Sequence, residues 1–193
     1  MSNIEVIDNF LSNEDFKKIY DLANSSNFPY FMSRDKYTIP VNIFEKNEKD
    51  YENLKEYIQF VHSFYNIDIS KTNKSDYFFI IENFIKNILD KKKIKKFELL
   101  RAKINVQTKL EKNTIHNHNT PHNDFPFEHK VFLFYINDSD GDTFFFNNKQ
   151  IFKQISPKEN RLIIFDGDIE HAGTHPINSD KRIVLNIDGR INE

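Results

Sequence analysis

The sequence predicts a mainly β fold with flanking helices (α+β), in which a β-sandwich or barrel is buttressed by helices. Apolar residues recur at helical spacing up to residue 96, whereas short runs rich in Val, Ile, Phe and Tyr follow beyond it. A chain of 193 residues fits one domain better than two and can bury a sizeable core. We therefore expect a single domain, residues 1–193, with a helical N-terminal support region over 1–96 and a β core over 97–193.

One short strand and three helices are predicted in the N-terminal half. The strand covers residues 4–7. Ser12 is a suitable N-cap for a first helix over 13–25, where apolar side chains recur three or four residues apart. The same spacing predicts helices over 50–65 and 75–92.

The C-terminal half is predicted to be all β, because β-branched and aromatic runs alternate there with turn residues. The sequence 138–141, Asp-Ser-Asp-Gly, is predicted to be a hairpin turn, and Asn147–Asn148 another. Eight strands are expected: 97–110, 114–119, 128–137, 142–147, 150–154, 161–166, 169–173 and 181–190.

Charge and composition exclude cysteine chemistry and give no global preference for nucleic acid or a membrane. With 27 basic and 29 acidic residues, the net charge of −2 provides no global attraction to nucleic acid or a membrane. We interpret the basic run 91–96 as a solvated helix end that complements the helix dipole, rather than a nucleic-acid patch. The chain has no cysteine, which excludes disulfides and thiolate sites. The N-terminus lacks the features of a signal peptide, and the longest apolar run, Val131–Ile136, is too short to span a bilayer, so we expect a soluble, cytoplasmic protein.

Histidine is concentrated in the β half, where six of the seven lie between residues 116 and 175. His122 and Asp124 form a His-x-Asp pair, whose side chains point to the same side of extended backbone and can chelate one metal. The distant His171 could complete a set of two histidines and one carboxylate. That set with three open positions is typical of non-haem Fe(II) oxygenases, although His-x-Asp alone is weak evidence.

Arg182 is the second chemical signal. It opens a strand in which Arg182, Val184 and Asn186 share one face. An arginine on the inner face of a barrel would be a buried charge, for which a carboxylate is the natural partner. The alternative is an exposed strand end beside Lys181.

The order His122-x-Asp124, His171, Arg182 resembles the iron(II)/2-oxoglutarate-dependent dioxygenase superfamily. Within it, the chain is similar to the prolyl-4-hydroxylase-like branch. The stretch 134–146 resembles a hairpin of that branch that usually reads Gly-Gly-Glu-Thr, and here reads Asp-Gly-Asp-Thr over residues 140–143. The opening stretch 7–12 and its helix also resemble the branch. The good match covers residues 97–190, and residues 26–96 match nothing usable.

The resemblance implies a double-stranded β-helix, a cupin-like jelly-roll whose interior holds iron. It implies Fe(II) bound by His122, Asp124 and His171, and 2-oxoglutarate gripped by Arg182, with dioxygen as co-substrate and ascorbate as an optional addition. The implied reaction hydroxylates a C–H bond and releases succinate and carbon dioxide. Three residues are further candidates for lining the co-substrate pocket: Tyr135, Thr143 and Asn186.

Alternatives stay open at this stage. His175 competes with His171 for the metal, but the family's spacing between the distal histidine and the basic residue favours His171. His116 and His118 lack a carboxylate and could line the mouth of the pocket. The substrate is not encoded: a peptide, protein or small molecule is favoured, and nucleic acid is not excluded. The rival functions are a cupin-type metal protein that does not use 2-oxoglutarate and a catalytically degenerate binding module.

Overall fold

A computed structural model describes residues 4–33, 59–67, 73–110 and 118–192 of the chain. They form two antiparallel sheets and two helices, so the predicted mainly β fold with flanking helices is confirmed. The strands are β1 Glu5–Ile7, β2 Phe31–Ser33, β3 Gln59–Asn66, β4 Asn73–Lys74, β5 Phe97–Thr108, β6 Lys130–Tyr135, β7 Thr143–Asn147, β8 Gln150–Ile155, β9 Arg161–Asp166, β10 His171–Gly173 and β11 Lys181–Ile191.

The larger sheet has eight strands in the order β1-β9-β6-β11-β5-β3-β2, with β4 paired to β3. The smaller sheet has three strands in the order β10-β7-β8. Apolar side chains of both sheets meet in one buried cluster, which includes Leu133 of β6, Phe145 of β7 and Phe165 of β9. The two sheets therefore face each other as in a jelly-roll, and this cluster forms the inside of the sandwich.

The two helices cover the outer face of the larger sheet. Helix α1 spans Asn13–Ala23 and begins at Ser12, whose hydroxyl accepts a hydrogen bond from the backbone of Asp15. Helix α2 spans Phe78–Lys92 and ends at Lys93 in the left-handed conformation. A second core joins the helices to the sheet, and Phe10 and Phe84 contact Phe134 there at centroid distances of 6.3 and 4.8 Å. In the described part of the chain, no helix has the length and hydropathy needed to cross a membrane.

The helix predicted over 50–65 is wrong for residues 59–65, which belong to β3; residues 50–58 lie outside the described residues. The apolar residues that suggested a helix are also compatible with a strand, in which buried and exposed side chains alternate. His62 and Phe64 are buried while Ser63 between them is exposed. Pairing with β5 decides between the two, because a strand here extends the sheet by a full ladder of hydrogen bonds. The N-terminal region thus contributes strands as well as helices.

The hairpin turn predicted at residues 138–141 is also wrong, because β6 and β7 belong to different sheets. The segment crosses from one sheet to the other, and the Asp140 carboxylate accepts backbone N–H groups of residues 177, 178 and 179. A hairpin does join β7 to β8 near the predicted second turn. Asn148 and Lys149 there have φ values of 49° and 65°, as a two-residue type I′ turn requires.

Candidate metal centre

His122 and His171 lie directly opposite each other at the edge of the smaller sheet. The backbone N–H of each donates to the carbonyl of the other, and both hydrogen bonds are 3.0 Å long. Such a hydrogen-bonded pair fixes the distance between two chain segments that are far apart in sequence. The two rings consequently lie with centroids 4.9 Å apart.

The carboxylate of Asp124 lies close to both histidine rings. The Nε2 atom of His171 lies 3.5 Å from Oδ2 of Asp124, and Nε2 of His122 lies 4.0 Å from Oδ1. One ligand atom from each of the three residues falls within 4.8 Å of the others. Two imidazole nitrogens and one carboxylate oxygen at this separation can converge on one first-row metal ion.

The charge states suit metal binding. Burial, and then the neighbouring His171, lower the pKa of His122 to about 4, so its ring is neutral at physiological pH. Burial alone would raise the pKa of Asp124, but the Arg101 guanidinium and His171 outweigh it and hold that pKa well below the ordinary value. A neutral imidazole and an ionised carboxylate are the forms that coordinate a cation.

Arg101 of β5 joins Asp124 to a second buried carboxylate. Its Nη2 donates to Oδ1 of Asp124, while its Nε donates to Oδ2 of Asp188 at 2.9 Å. Asp188 is completely buried, and burial together with Asp124 raises its pKa to about 7. One guanidinium therefore lies between two carboxylates beside the metal site.

Arg182 lies on the inner face of β11 and is 4% exposed. Its Nε donates to the carbonyl of Gly141 at 2.7 Å, its Nη1 to Oε1 of Gln107 at 2.7 Å, and its Nη2 to Oγ1 of Thr143 at 2.8 Å. All three acceptors are neutral, and among the described residues the guanidinium forms no ion pair. Since a guanidinium carries five N–H groups, one donor on each terminal nitrogen is left for a further acceptor.

Two glycines make room for this guanidinium. A Cβ atom on Gly173 would lie 3.1 Å from Nη1 of Arg182, and one on Gly141 would lie 2.8 Å from its Cδ. Gly173 is two residues after His171, so one short strand supplies a histidine of the candidate metal site and the space for the arginine.

The three candidate pocket residues fall into two groups. The Tyr135 hydroxyl donates to Oγ1 of Thr143 at 2.7 Å, and the Arg182 guanidinium carbon lies 5.7 Å from the Tyr135 ring centroid. Tyr135 and Thr143 thus adjoin Arg182. Asn186 instead lies at the candidate metal site, where its Nδ2 donates to Oδ2 of Asp124 at 3.3 Å.

The competing histidines lie outside the metal cluster. His175 is buried, and its Nδ1 pairs with the carbonyl of Thr108 at 2.8 Å. His118 pairs with the carbonyl of Asn119, and its ring packs against Phe146. His116 lies outside the described residues.

Sequence reasoning missed three residues at this centre: Arg101, Gln107 and Asp188. A signal was present, because polar residues occupy every second position of β5 from Arg101 to Gln107. What the sequence lacks is the register of β5 against β11, which places Arg101 opposite Asp188 and Gln107 opposite Arg182.

Neither a protein-family model nor a curated protein matches the sequence. Solved structures do match in fold. An oxidoreductase of the 2OG-Fe(II) oxygenase family from Burkholderia pseudomallei aligns with 98% of this chain and 86% of its own, at a TM-score of 0.70 and 11% identity. The viral collagen prolyl hydroxylase of Paramecium Bursaria Chlorella virus-1, solved with 2OG, aligns with 98% of this chain and 96% of its own, at a TM-score of 0.55 and 17% identity.

A third match is a prolyl hydroxylase from Trichoplax adhaerens in complex with a peptide fragment of the hypoxia inducible factor oxygen degradation domain. It aligns with 97% of this chain and 83% of its own, at a TM-score of 0.60 and 12% identity. At these identities the likeness shows the fold. The chain therefore has the jelly-roll fold of the 2-oxoglutarate and Fe(II) oxygenases, including the prolyl hydroxylases, as the sequence resemblance predicted.

Proposed function

We propose that this protein is an Fe(II)- and 2-oxoglutarate-dependent dioxygenase that hydroxylates a C–H bond of its substrate and releases succinate and carbon dioxide. One observation carries the proposal. The same face of β11 bears a buried arginine with no anionic partner among the described residues and, at Asn186, a contact to the carboxylate of a His-Asp-His cluster. A metal centre and an anion site on one strand face are what a metal-bound dicarboxylate needs.

His122, Asp124 and His171 would hold the iron. Their three donor atoms are close enough for one ion, and two nitrogens with one oxygen leave three coordination positions for other ligands. Bound Fe(II) supplies the activation of dioxygen and the oxidative decarboxylation of the 2-oxo acid. The protein contributes position, since the paired backbones of His122 and His171 fix two of the three ligands before any metal binds.

Arg182 would grip the distal carboxylate of 2-oxoglutarate. A buried guanidinium without an anion is costly, and its two remaining N–H donors match the two oxygens of a carboxylate. Gln107 and Thr143 hold the guanidinium in place from two other sides. Arg182 and Asn186 are about 13 Å apart along the strand, an interval that a five-carbon dicarboxylate and the flanking side chains can bridge.

The walls of the sandwich would keep water from the reacting groups. Apolar side chains line the interior beside the site, and Phe145 and Phe165 contact the His171 ring at centroid distances of 6.5 and 4.9 Å. Exclusion of water strengthens the charge-assisted contacts of Arg182 and limits side reactions.

We favour a peptide, a protein side chain or a small polar molecule as substrate. The Trichoplax adhaerens neighbour was solved with a peptide fragment, whereas HygX from Streptomyces hygroscopicus, at a TM-score of 0.57 and 8% identity, was solved with hygromycin B. The shared fold thus accommodates both kinds of molecule.

The rival functions lack support in the described residues. A cupin-type metal protein without 2-oxoglutarate has no use for a buried Arg182 whose partners are all neutral. A degenerate binding module has no need to keep a complete His-Asp-His set.

The test is a pair of measurements on purified protein. Fe(II) is added anaerobically, and 2-oxoglutarate is then titrated while the metal-to-ligand charge-transfer absorption is recorded. Air is admitted next, and succinate release is measured without any added substrate. Stoichiometric Fe(II), saturable 2-oxoglutarate binding and slow succinate formation are expected. Metal binding without any effect of 2-oxoglutarate would favour the cupin alternative, and no metal binding would favour the degenerate module.

A further inference from the structure

Beside the candidate metal ligands, a guanidinium that is 17% exposed links two buried carboxyl groups, an arrangement that coordination itself does not require. It runs from Asp124 through Arg101 to Asp188, and the two carboxylates are 2% and 0% exposed. We propose that Arg101, held by Asp188, is a positioning residue that fixes Asp124 as a one-oxygen metal ligand. The inference rests on the proposed function only in so far as it needs the metal centre.

The two oxygens of Asp124 have different surroundings. Oδ1 accepts a charge-assisted hydrogen bond from Nη2 of Arg101. Oδ2 lies 3.5 Å from Nε2 of His171 and accepts a long hydrogen bond of 3.3 Å from Asn186, while Nε2 of His122 lies 4.0 Å from Oδ1. A neutral amide donor at 3.3 Å makes a weaker hydrogen bond than the charge-assisted one on Oδ1, so Oδ2 is the oxygen more available to a metal. A carboxylate free to turn could bind through both oxygens and occupy a position that other ligands need.

Arg101 can hold Asp124 in this way because it is itself held. Both Nε and Nη2 lie 2.9 Å from Oδ2 of Asp188, and the guanidinium carbon lies 5.1 Å from the ring centroid of Phe125. A guanidinium anchored to a second carboxylate and packed on a ring has little freedom to swing away from Asp124.

Stability alone does not account for this arrangement. Removing two carboxylates and a guanidinium from water is costly, and apolar residues of similar volume commonly stabilise a protein as well or better. The strands already pair along their length, with Asp188 opposite both Arg101 and Val131. The charged groups are explained if they orient Asp124. Substituting a residue that holds a metal ligand commonly weakens metal binding by about 10–100-fold.

The test is a Co(II) titration of the full chain, followed by visible absorption, in the wild type and three variants. Arg101→Lys keeps the charge but loses the planar fork that bridges two carboxylates. The double variant Arg101→Met with Asp188→Asn removes the guanidinium together with the carboxyl group that holds it, so no buried carboxylate is left without its partner at position 188. Arg190→Met is the matched control, because it removes a guanidinium from an ion pair with Glu98 that is about 40% exposed.

We expect the double variant to bind Co(II) about 10-fold or more weakly and with an altered visible spectrum. Arg101→Lys should fall between it and the wild type, and Arg190→Met should match the wild type. Thermal melts without metal show whether each variant is folded; if the double variant is not, Arg101→Lys alone decides. Unchanged or tighter binding with an unchanged spectrum in a folded Arg101 variant would overturn the proposal.

The Co(II) titration, taken together with the 2-oxoglutarate titration of the wild type, separates this inference from the proposed function. If the wild type binds Co(II) but not 2-oxoglutarate, the dioxygenase proposal fails while weaker binding in the double variant still supports Arg101. If the wild type binds both ligands and the Arg101 variants bind Co(II) equally well, the positioning role alone fails. Absence of Co(II) binding in the wild type would overturn both.

Discussion

Gly173 lies against the guanidinium of Arg182 so closely that a Cβ atom on the glycine would stand 3.1 Å from Nη1 and 3.2 Å from Nη2. These are the two nitrogens with donors to spare. The absence of a side chain at residue 173 therefore determines where the guanidinium of Arg182 can lie. The φ of Gly173 is not positive, so its backbone conformation does not itself require glycine.

Gly173→Ala should weaken 2-oxoglutarate binding about 10-fold, equivalent to about 1.4 kcal/mol. The added methyl group must displace the guanidinium by a few tenths of an ångström and so disturbs its bonds to Gln107 and Thr143. The measurement is the 2-oxoglutarate titration of the Fe(II)-loaded protein. Metal affinity serves as the internal control and should stay within about threefold, since coordination by His171 does not involve the residue 173 side chain. Equal 2-oxoglutarate affinity in the two proteins would contradict the role given to Gly173.

Arg182→Ala should raise the dissociation constant for 2-oxoglutarate by about 100-fold or more. Metal affinity should change little, because the substitution removes a buried charge-assisted pair and no metal ligand. Arg182→Lys should recover part of the affinity, since it keeps the charge but loses the fork. Arg161→Ala is the control, because Arg161 pairs with Asp8 on the outer surface. Wild-type affinity in Arg182→Ala would remove the main reason for choosing 2-oxoglutarate as the co-substrate.

His122→Ala should abolish the stabilisation that a metal ion gives to the folded chain. A ligand at 100 times its dissociation constant stabilises the native state by about 2.7 kcal/mol, so saturating Co(II) should raise the thermal midpoint of the wild type. The variant should melt close to the metal-free wild type and show no shift with Co(II). His118→Ala should keep the shift, since its ring packs against Phe146 outside the cluster. A full Co(II) shift in His122→Ala would show that the metal binds elsewhere.

The sequence was most informative where local pattern and tertiary role agree. Strands such as β9 and β11 combine β-branched residues with clear turns, and their predicted bounds differ from the observed ones by no more than one residue. The shared face of Arg182 and Asn186 could be predicted because β11 alternates its faces, so relations within one strand follow from counting residues.

Relations between segments could not be obtained by counting. Residues 59–66 have apolar spacing compatible with a helix, and only the hydrogen bonds offered by β5 make them a strand. The pairing of Arg101 with Asp188 likewise depends on the register of two strands about 90 residues apart in sequence. Neither segment by itself encodes that register.

Asn160→Ala should destabilise the fold by about 3 kcal/mol, because two buried hydrogen bonds of about 1 kcal/mol each are lost and alanine is strained at positive φ. The Asn160 side chain accepts from the N–H of Leu11 at 2.8 Å and donates to the Leu11 carbonyl at 3.0 Å, and its φ is 58°. Urea unfolding of the wild type and the variant measures the change in the free energy of unfolding. Asn148→Ala is matched in backbone strain at φ 49° but lies on an exposed turn, so it should cost only about 1 kcal/mol. Equal losses in the two variants would show that the bonds to Leu11 contribute nothing.

The Asp140 carboxylate should contribute stability that is lost in acid. Burial alone would raise its pKa, but hydrogen bonds from Ser179, Asn178 and Ile177 outweigh this and hold the pKa below the ordinary value. A carboxyl group with a lowered folded-state pKa stabilises the protein above its unfolded pKa of about 3.9, and loses that contribution as the pH falls further. Asp140→Asn should therefore cost about 1 kcal/mol at pH 6, a modest value because the residue is exposed, and the difference from the wild type should shrink below about pH 4. Urea unfolding at several pH values measures this difference in the free energy of unfolding. Asp168→Asn, on another exposed turn, is the control. A difference independent of pH would mean that the charge of Asp140 does not hold the loop leading into Arg182.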